Sequence, residues 1–215
     1  LIYGTAFASK EQLQALNATL NRSGGNGSTR YNWKLNASNH ANDYFFESIG
    51  ESSAVPGESG DTFVAASKAG GAQPMLTVPM LGWVAKLGPA REKLAGFSVK
   101  KYGPQQKTDP YMPDAGNGLK PDGKTEVPAG DPNDANLPAT PDFQRGWLDH
   151  LTTKWGKAAG GGVGWYLLDN EPALWNGTHR DAHPKGATME EVLDDTLAYS
   201  AMIKSIDPAA KTLGP

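Results

Sequence analysis

The run Gly164-Trp165-Tyr166-Leu167-Leu168-Asp169-Asn170-Glu171-Pro172-Ala173-Leu174-Trp175 sets a carboxyl group beside an amide and between aromatic rings. It starts as a short apolar stretch, the signature of a strand buried on both faces. It ends in polar residues, an acid and a proline, so the strand stops where Glu171 appears. A carboxylate at the carboxyl end of a buried parallel strand sits where barrel enzymes place proton-transfer chemistry. The competing reading has Glu171 pairing with a nearby Arg or Lys and ordering a loop, and spacing alone leaves both open. A second candidate region is Asn21-Arg22-Ser23-Gly24-Gly25-Asn26, followed by Thr29-Arg30-Tyr31-Asn32-Trp33 and by Asn36, Asn39 and Asn42. Its glycines permit a turn or a close backbone approach, and its amides beside Tyr and Trp suit hydroxyl groups. A solvated loop whose side chains cap their own backbone fits the same residues. The third region holds Asp109, Asp114, Asp122, Asp131 and Asp134. That is enough oxygen for a hard cation, but the spacing is not that of an EF-hand loop.

These groups need elements to hold them, and composition bounds what those can be. The chain has 215 residues, a formal net charge of −3 and no cysteine. Disulfides and thiolate metal sites are therefore excluded. Lys and Arg are dispersed, with no basic stripe to neutralise a phosphate backbone, so no nucleic-acid partner is expected. No apolar run approaches a membrane span, and the first residues do not read as a charged-then-apolar signal peptide. Leu1 in place of Met suggests a processed start. Six tryptophans and seven tyrosines offer flat faces for sugar rings, although such residues equally fill cores.

Leu1 to Thr5 reads as a strand. Ser9 with Gln12 forms a capping box before a helix with a Leu13, Leu16, Leu20 stripe. Asn21 to Asn26 is a second strand, poor by propensity. Asp61 to Gly70 is helical, and Gln73 to Leu81 is an apolar strand. From Gly88 to Thr140 periodicity is lost, and a loop that long is usually functional or held by an ion. Thr140 and Pro141 cap a helix carrying Phe143, Trp147, Leu151 and Trp155. After the strand ending at Glu171 comes a polar loop with His179 and His183. Thr188 with Glu191 caps a helix with a Val192, Thr196, Tyr199, Ile203, Ile206 stripe, and a last strand begins at Lys211. Alternation of this kind predicts an α/β fold with a parallel sheet. No G-x-G-x-x-G follows the first strand, which disfavours a dinucleotide-binding sheet and favours a (β/α)8 TIM-like barrel. Five strands cannot close that barrel, so residues 1–215 are expected to supply about its first half, with a long insertion at 88–140.

Three stretches together resemble glycoside hydrolase family 44, a family of endoglucanases and xyloglucanases. They are Asn21–Asn26 running into Thr29–Asn39, the run Lys100–Gln106 through Asp109–Gly118, and Leu168–Trp175. The Asn-Glu-Pro triplet alone is weakly specific, whereas the three long runs in this order are strongly so. The resemblance implies a (β/α)8 glycosidase that is secreted and cuts β-1,4-glucan chains of the cellulose, carboxymethyl cellulose and xyloglucan type with retention. Such chemistry needs two carboxyl groups roughly 5–5.5 Å apart, an acid/base and a nucleophile. In this clan the acid/base follows an Asn and closes the fourth strand, and Glu171 closes the fourth strand counted here. An acid of this kind has to stay protonated near neutral pH, which burial or a second carboxylate beside it supplies. Asn170 is then expected to bond the sugar 2-hydroxyl, and Asp169, by strand alternation, to brace the barrel interior or a helix. The nucleophile is expected on a seventh strand beyond Pro215, so the remainder of the catalytic domain becomes a required partner. The resemblance further marks Arg22, Asn26, Tyr31 and Trp33 as groove-lining, and Trp83, Trp175 and His179 as sugar subsites. It also implies a structural calcium, for which Asp131 and Asp134 are the expected ligands. The rival from another class is a carbohydrate-binding or scaffold module without turnover.

Overall fold

The computed structural model describes residues 4–214. Five parallel strands form one sheet: β1 (Gly4–Ala6), β2 (Leu20–Ser23), β3 (Gln73–Val78), β4 (Trp165–Leu168) and β5 (Lys211–Leu213). They lie side by side in chain order, each hydrogen-bonded to the next. A doubly wound sheet reverses its order at a switch point, and this one does not. The five expected strands are all present with shorter bounds; of the first, Leu1 to Tyr3 lie outside the described residues.

Four helices of seven residues or more connect them: α1 (Lys10–Leu16), α2 (Glu58–Ala69), α3 (Pro141–Trp155) and α4 (Met189–Ile206). Both expected capping boxes, Ser9 with Gln12 and Thr188 with Glu191, are formed. The α1 stripe is a correction. Asn17 adopts a left-handed conformation and ends the helix, so Leu13 is buried, Leu16 is exposed and Leu20 belongs to β2. On α4, Tyr199, Met202 and Ile203 are the buried residues.

Strand alternation divides the sheet into two faces. Leu76 and Val78 of β3 and Tyr166 and Leu168 of β4 point to the helices, where they join Val64, Trp147, Leu148, Leu151, Tyr199, Met202 and Ile203 in the main core. The opposite face carries Arg22, Met75 and Trp165 in one row, set by the Arg22–Met75 and Met75–Trp165 pairings. It is only partly covered.

The 88–140 region is not the structureless loop expected. Trp83–Ala85 pairs with Asn136–Pro138, Leu94–Ala95 extends a hairpin of Ala37–Asn39 and Glu47–Gly50, and Thr108–Asp109 pairs with Met112–Gly116. Phe46, Phe97 and Val127 give this subdomain its own small core. Arg180 reaches it from the loop after β4: its guanidinium lies over the Phe97 ring at 4.4 Å and donates to the carbonyls of Val127 and Gly118. Side-chain clamps of this sort leave no periodicity in the sequence.

Candidate active site

β4 releases the chain at Leu168 through two residues with positive φ, Asp169 at 69° and Glu171 at 46°. Neither is glycine, so the turn is strained and must be held from outside. Asp169 holds one side. Its buried carboxylate accepts from the backbone N–H of Met80 at 2.5 Å and Leu81 at 3.1 Å, and from Asn170 at 2.7 Å. It thus braces the loop after β3, not the barrel interior or a helix, because the left-handed turn breaks strand alternation. Burial pushes its carboxyl up to about 6 despite those bonds.

Asn170 holds the other side. Its Oδ1 accepts from Arg22 Nη2 at 2.7 Å and from the Gly25 N–H at 3.2 Å. Its Nδ2 donates to Glu171 Oε2 at 3.1 Å and to Asn26 Oδ1 at 3.3 Å. Two donors on the oxygen fix which way the amide faces, so the N–H side is the one turned to Glu171. Asn26 in turn donates to Asp43 Oδ2 at 2.8 Å. The glycines expected to allow a close approach do so. A Cβ on Gly24 would stand 2.5 Å from the Arg22 guanidinium, and Gly25 at φ 90° offers its amide to Asn170. Trp175 closes the loop from beneath, donating from Nε1 to the Asn170 carbonyl at 3.1 Å.

Arg22, Asn26, Asn170 and Glu171 therefore meet at the carboxyl ends of β2 and β4. Among the described residues the Glu171 side chain is exposed, with Asn170 its hydrogen-bond partner. Trp175 is present as a support and is almost wholly buried, so it offers no face to a sugar.

The other expected groove residues lie elsewhere. Tyr31 is in the core, edge-on to Trp147 at 5.3 Å, with its hydroxyl on Asn36. Trp33 lies against α3, donating to the Phe143 carbonyl at 3.0 Å. Trp83 is half-buried against the main core. His179 is fully buried, and burial, then the Arg30 charge, pushes its imidazole down to about 2, so it is neutral. Neither ring nitrogen has a hydrogen-bond partner among the described residues. The resemblance marks these four positions, and the inward fold of the loops sets their burial.

Sequence reasoning missed what anchors the loop carrying Glu171. Asp181 forms a buried ion pair with Arg30 at 2.7 Å, and Arg30 also donates to Asn136 and Asn39. A basic residue in the strand-2 loop and an acid ten residues past Glu171 were the only signals in the sequence.

Asp131 and Asp134, the expected calcium ligands, are each engaged by protein neighbours. Both Asp134 oxygens take the Lys101 ammonium, at 2.5 and 2.8 Å, and Tyr102 donates to Oδ2. Asp131 Oδ1 accepts twice from Asn133. Among the described residues no group of three acidic or histidine side chains is placed to hold a metal. Glu47 and Asp109 do face each other in the interior, with Lys93 Nζ at 3.2 and 3.9 Å. Burial, then the neighbouring Asp109 carboxyl, pushes Glu47 up to about 7.

The curated Beta-mannanase/endoglucanase A of Caldicellulosiruptor saccharolyticus is 28% identical over 97% of this chain and 15% of its own length. Endoglucanase A of Paenibacillus lautus is 29% identical over 100% and 29%. The crystal structure of CelM2, a bifunctional glucanase-xylanase from a metagenome library, superposes with a TM-score of 0.97 at 53% identity, covering all of this chain and 41% of that one. A Paenibacillus polymyxa family 44 xyloglucanase solved with xyloglucan gives 0.67 at 27% identity, covering 100% and 40%. The chain thus spans less than half of each of these relatives. The family model for Glycoside hydrolase family 44 matches residues 37–215, and the chain belongs to that family.

Proposed function

We propose that Glu171 is the general acid/base of a retaining, endo-acting hydrolase of β-1,4-glucan chains of the cellulose, carboxymethyl cellulose and xyloglucan type. The observation that carries this is the Asn170 amide, locked by Arg22 and Gly25 with its N–H side on Glu171 at the end of the fourth parallel strand. In this reading the five strands are part of a (β/α)8 barrel. A later strand of the full catalytic domain brings the nucleophilic carboxylate to roughly 5–5.5 Å from Glu171. Protonated Glu171 gives its proton to the glycosidic oxygen as that bond breaks and the nucleophile bonds the anomeric carbon. The resulting Glu171 carboxylate takes a proton from the water that displaces the nucleophile.

Asn170 has a defined part in this. Its oxygen is saturated, but its bond to Asn26 is long at 3.3 Å, so that N–H is the one free to turn to a sugar 2-hydroxyl. A contact strengthening as the ring flattens lowers the barrier without tightening the ground state. A polymeric substrate places the enzyme outside the cell. No helix of the described residues is long and apolar enough to cross a membrane.

Product stereochemistry tests the proposal. Proton NMR of the first product released by the full-length protein should show the β anomer, and Glu171→Gln should abolish its release. An initial α anomer would overturn the retaining mechanism. The 215 residues alone should be inactive on soluble β-glucans, and hydrolysis by them that is lost in Glu171→Gln would refute a nucleophile supplied from outside them.

A further inference from the structure

Beside the Glu171 cluster, on the far side of the Gly24–Ser28 turn, lies a cavity of about 930 Å³. It opens at the carboxyl ends of β1 and β2, against the start of α2. That volume is in the range of sites that enclose small ligands. Its wall carries aromatic rings, Phe7 edge-on to Phe63 at 6.0 Å, with Tyr31 deeper. Phe7 is non-glycine at φ 50°, tied by its N–H to the Arg22 carbonyl, and is 62% exposed. Backbone strain that presents an aromatic ring at a cavity mouth is the kind that binding sites retain. His40, Glu51 and Glu58 also line it, and no side-chain hydrogen bond engages any of the three among the described residues.

We propose that this cavity is a second saccharide site, taking a neutral pyranose unit of the glucan away from the bond that is cut. Aromatic faces and carboxylate acceptors together match the apolar faces and hydroxyl rim of a pyranose. The two carboxylates repel phosphates and uronic acids, so the ligand is uncharged. The Gly24–Ser28 turn links this site to the catalytic cluster, since Gly25 on that turn bonds Asn170. The proposal rests on reading the protein as a glucan hydrolase, and the unit it takes belongs either to the main chain or to a side branch.

The test uses the full-length protein carrying Glu171→Gln, titrated calorimetrically with an unbranched cello-oligosaccharide and with a xylosyl-branched one. Phe7→Ala and Glu58→Gln are each expected to weaken binding about tenfold, the change produced by losing one hydrogen bond to a charged group or one ring contact. Both residues lie at the surface or mouth, and unchanged far-UV circular dichroism separates lost binding from lost folding. Weakening with the unbranched probe assigns a main-chain unit, and weakening with the branched probe alone assigns the branch. Unchanged affinity for both probes in both variants overturns the site. Failure of the acid/base reading shows separately, as probe hydrolysis by the Glu171→Gln protein.

Discussion

Replacing Asp181 by Ala isolates the buried charge pair that ties the loop after Glu171 to the rest of the fold. Arg30 and Asp181 are at most 2% exposed, and Nη1 meets Oδ2 at 2.7 Å. Without the carboxylate, Arg30 keeps only neutral acceptors, Asn136 Oδ1 at 3.2 Å and Asn39 Oδ1, while its Nε already has no partner. Breaking a buried pair from one side costs about 3–5 kcal/mol, because the remaining charge stays out of water. That is a large part of the roughly 5–15 kcal/mol that holds a domain folded. A loss of about 6–20 °C in Tm should follow. Urea unfolding followed by circular dichroism measures it, with Asp181→Asn as the conservative partner that keeps shape and one acceptor. A double variant, Arg30→Gln with Asp181→Ala, should be less destabilised than the sum of its singles. A loss below about 1 kcal/mol for Asp181→Ala would refute the argument, since that is the value of an exposed pair.

Three further outcomes are expected. Asn170→Ala should lower kcat of the full-length enzyme about 10²–10³-fold with a smaller change in KM, because its contact strengthens in the transition state; steady-state kinetics on a soluble glucan checks this. Asp169 should make stability pH-dependent. Its folded carboxyl, at about 6, holds its proton to higher pH than the unfolded group at 3.8, so its contribution is present below pH 3.8 and is lost as pH rises to 6. The loss is about 3 kcal/mol, seen as a slope in urea unfolding that Asp169→Asn removes. Asp134→Asn should leave any calcium dependence of Tm unchanged while releasing Lys101, because its oxygens hold an ammonium. A calcium-induced rise in Tm that disappears in Asp134→Asn would restore it as a ligand.

The strand count, both capping boxes and the position of Glu171 were legible in the sequence because each is written in local periodicity or in a few adjacent residues. The small sheets of residues 83–138 were not, since Trp83–Ala85 finds its partner more than fifty residues later, at Asn136–Pro138. Aromatic residues misled for a related reason. Trp175 and His179 have the types a sugar groove uses, but whether a ring faces solvent depends on how the loop after β4 folds in, and that follows from distant clamps such as Arg30–Asp181. Gly24 and Gly25 carried the opposite lesson: two residues without side chains marked where Arg22 and Asn170 come together.

In the proposed mechanism Glu171 protonates the leaving group. Glu171→Ala in the full-length enzyme tests it most directly, comparing a β-glucan with an aryl β-glycoside whose phenolate leaves without acid help, in the presence and absence of azide. Loss of about 10²–10⁴-fold on the glucan is predicted, with a much smaller loss in forming the glycosyl-enzyme from the aryl substrate, and azide should restore turnover and give a β-glycosyl azide. Equal losses on both substrates, with no rescue by azide, would contradict the assignment.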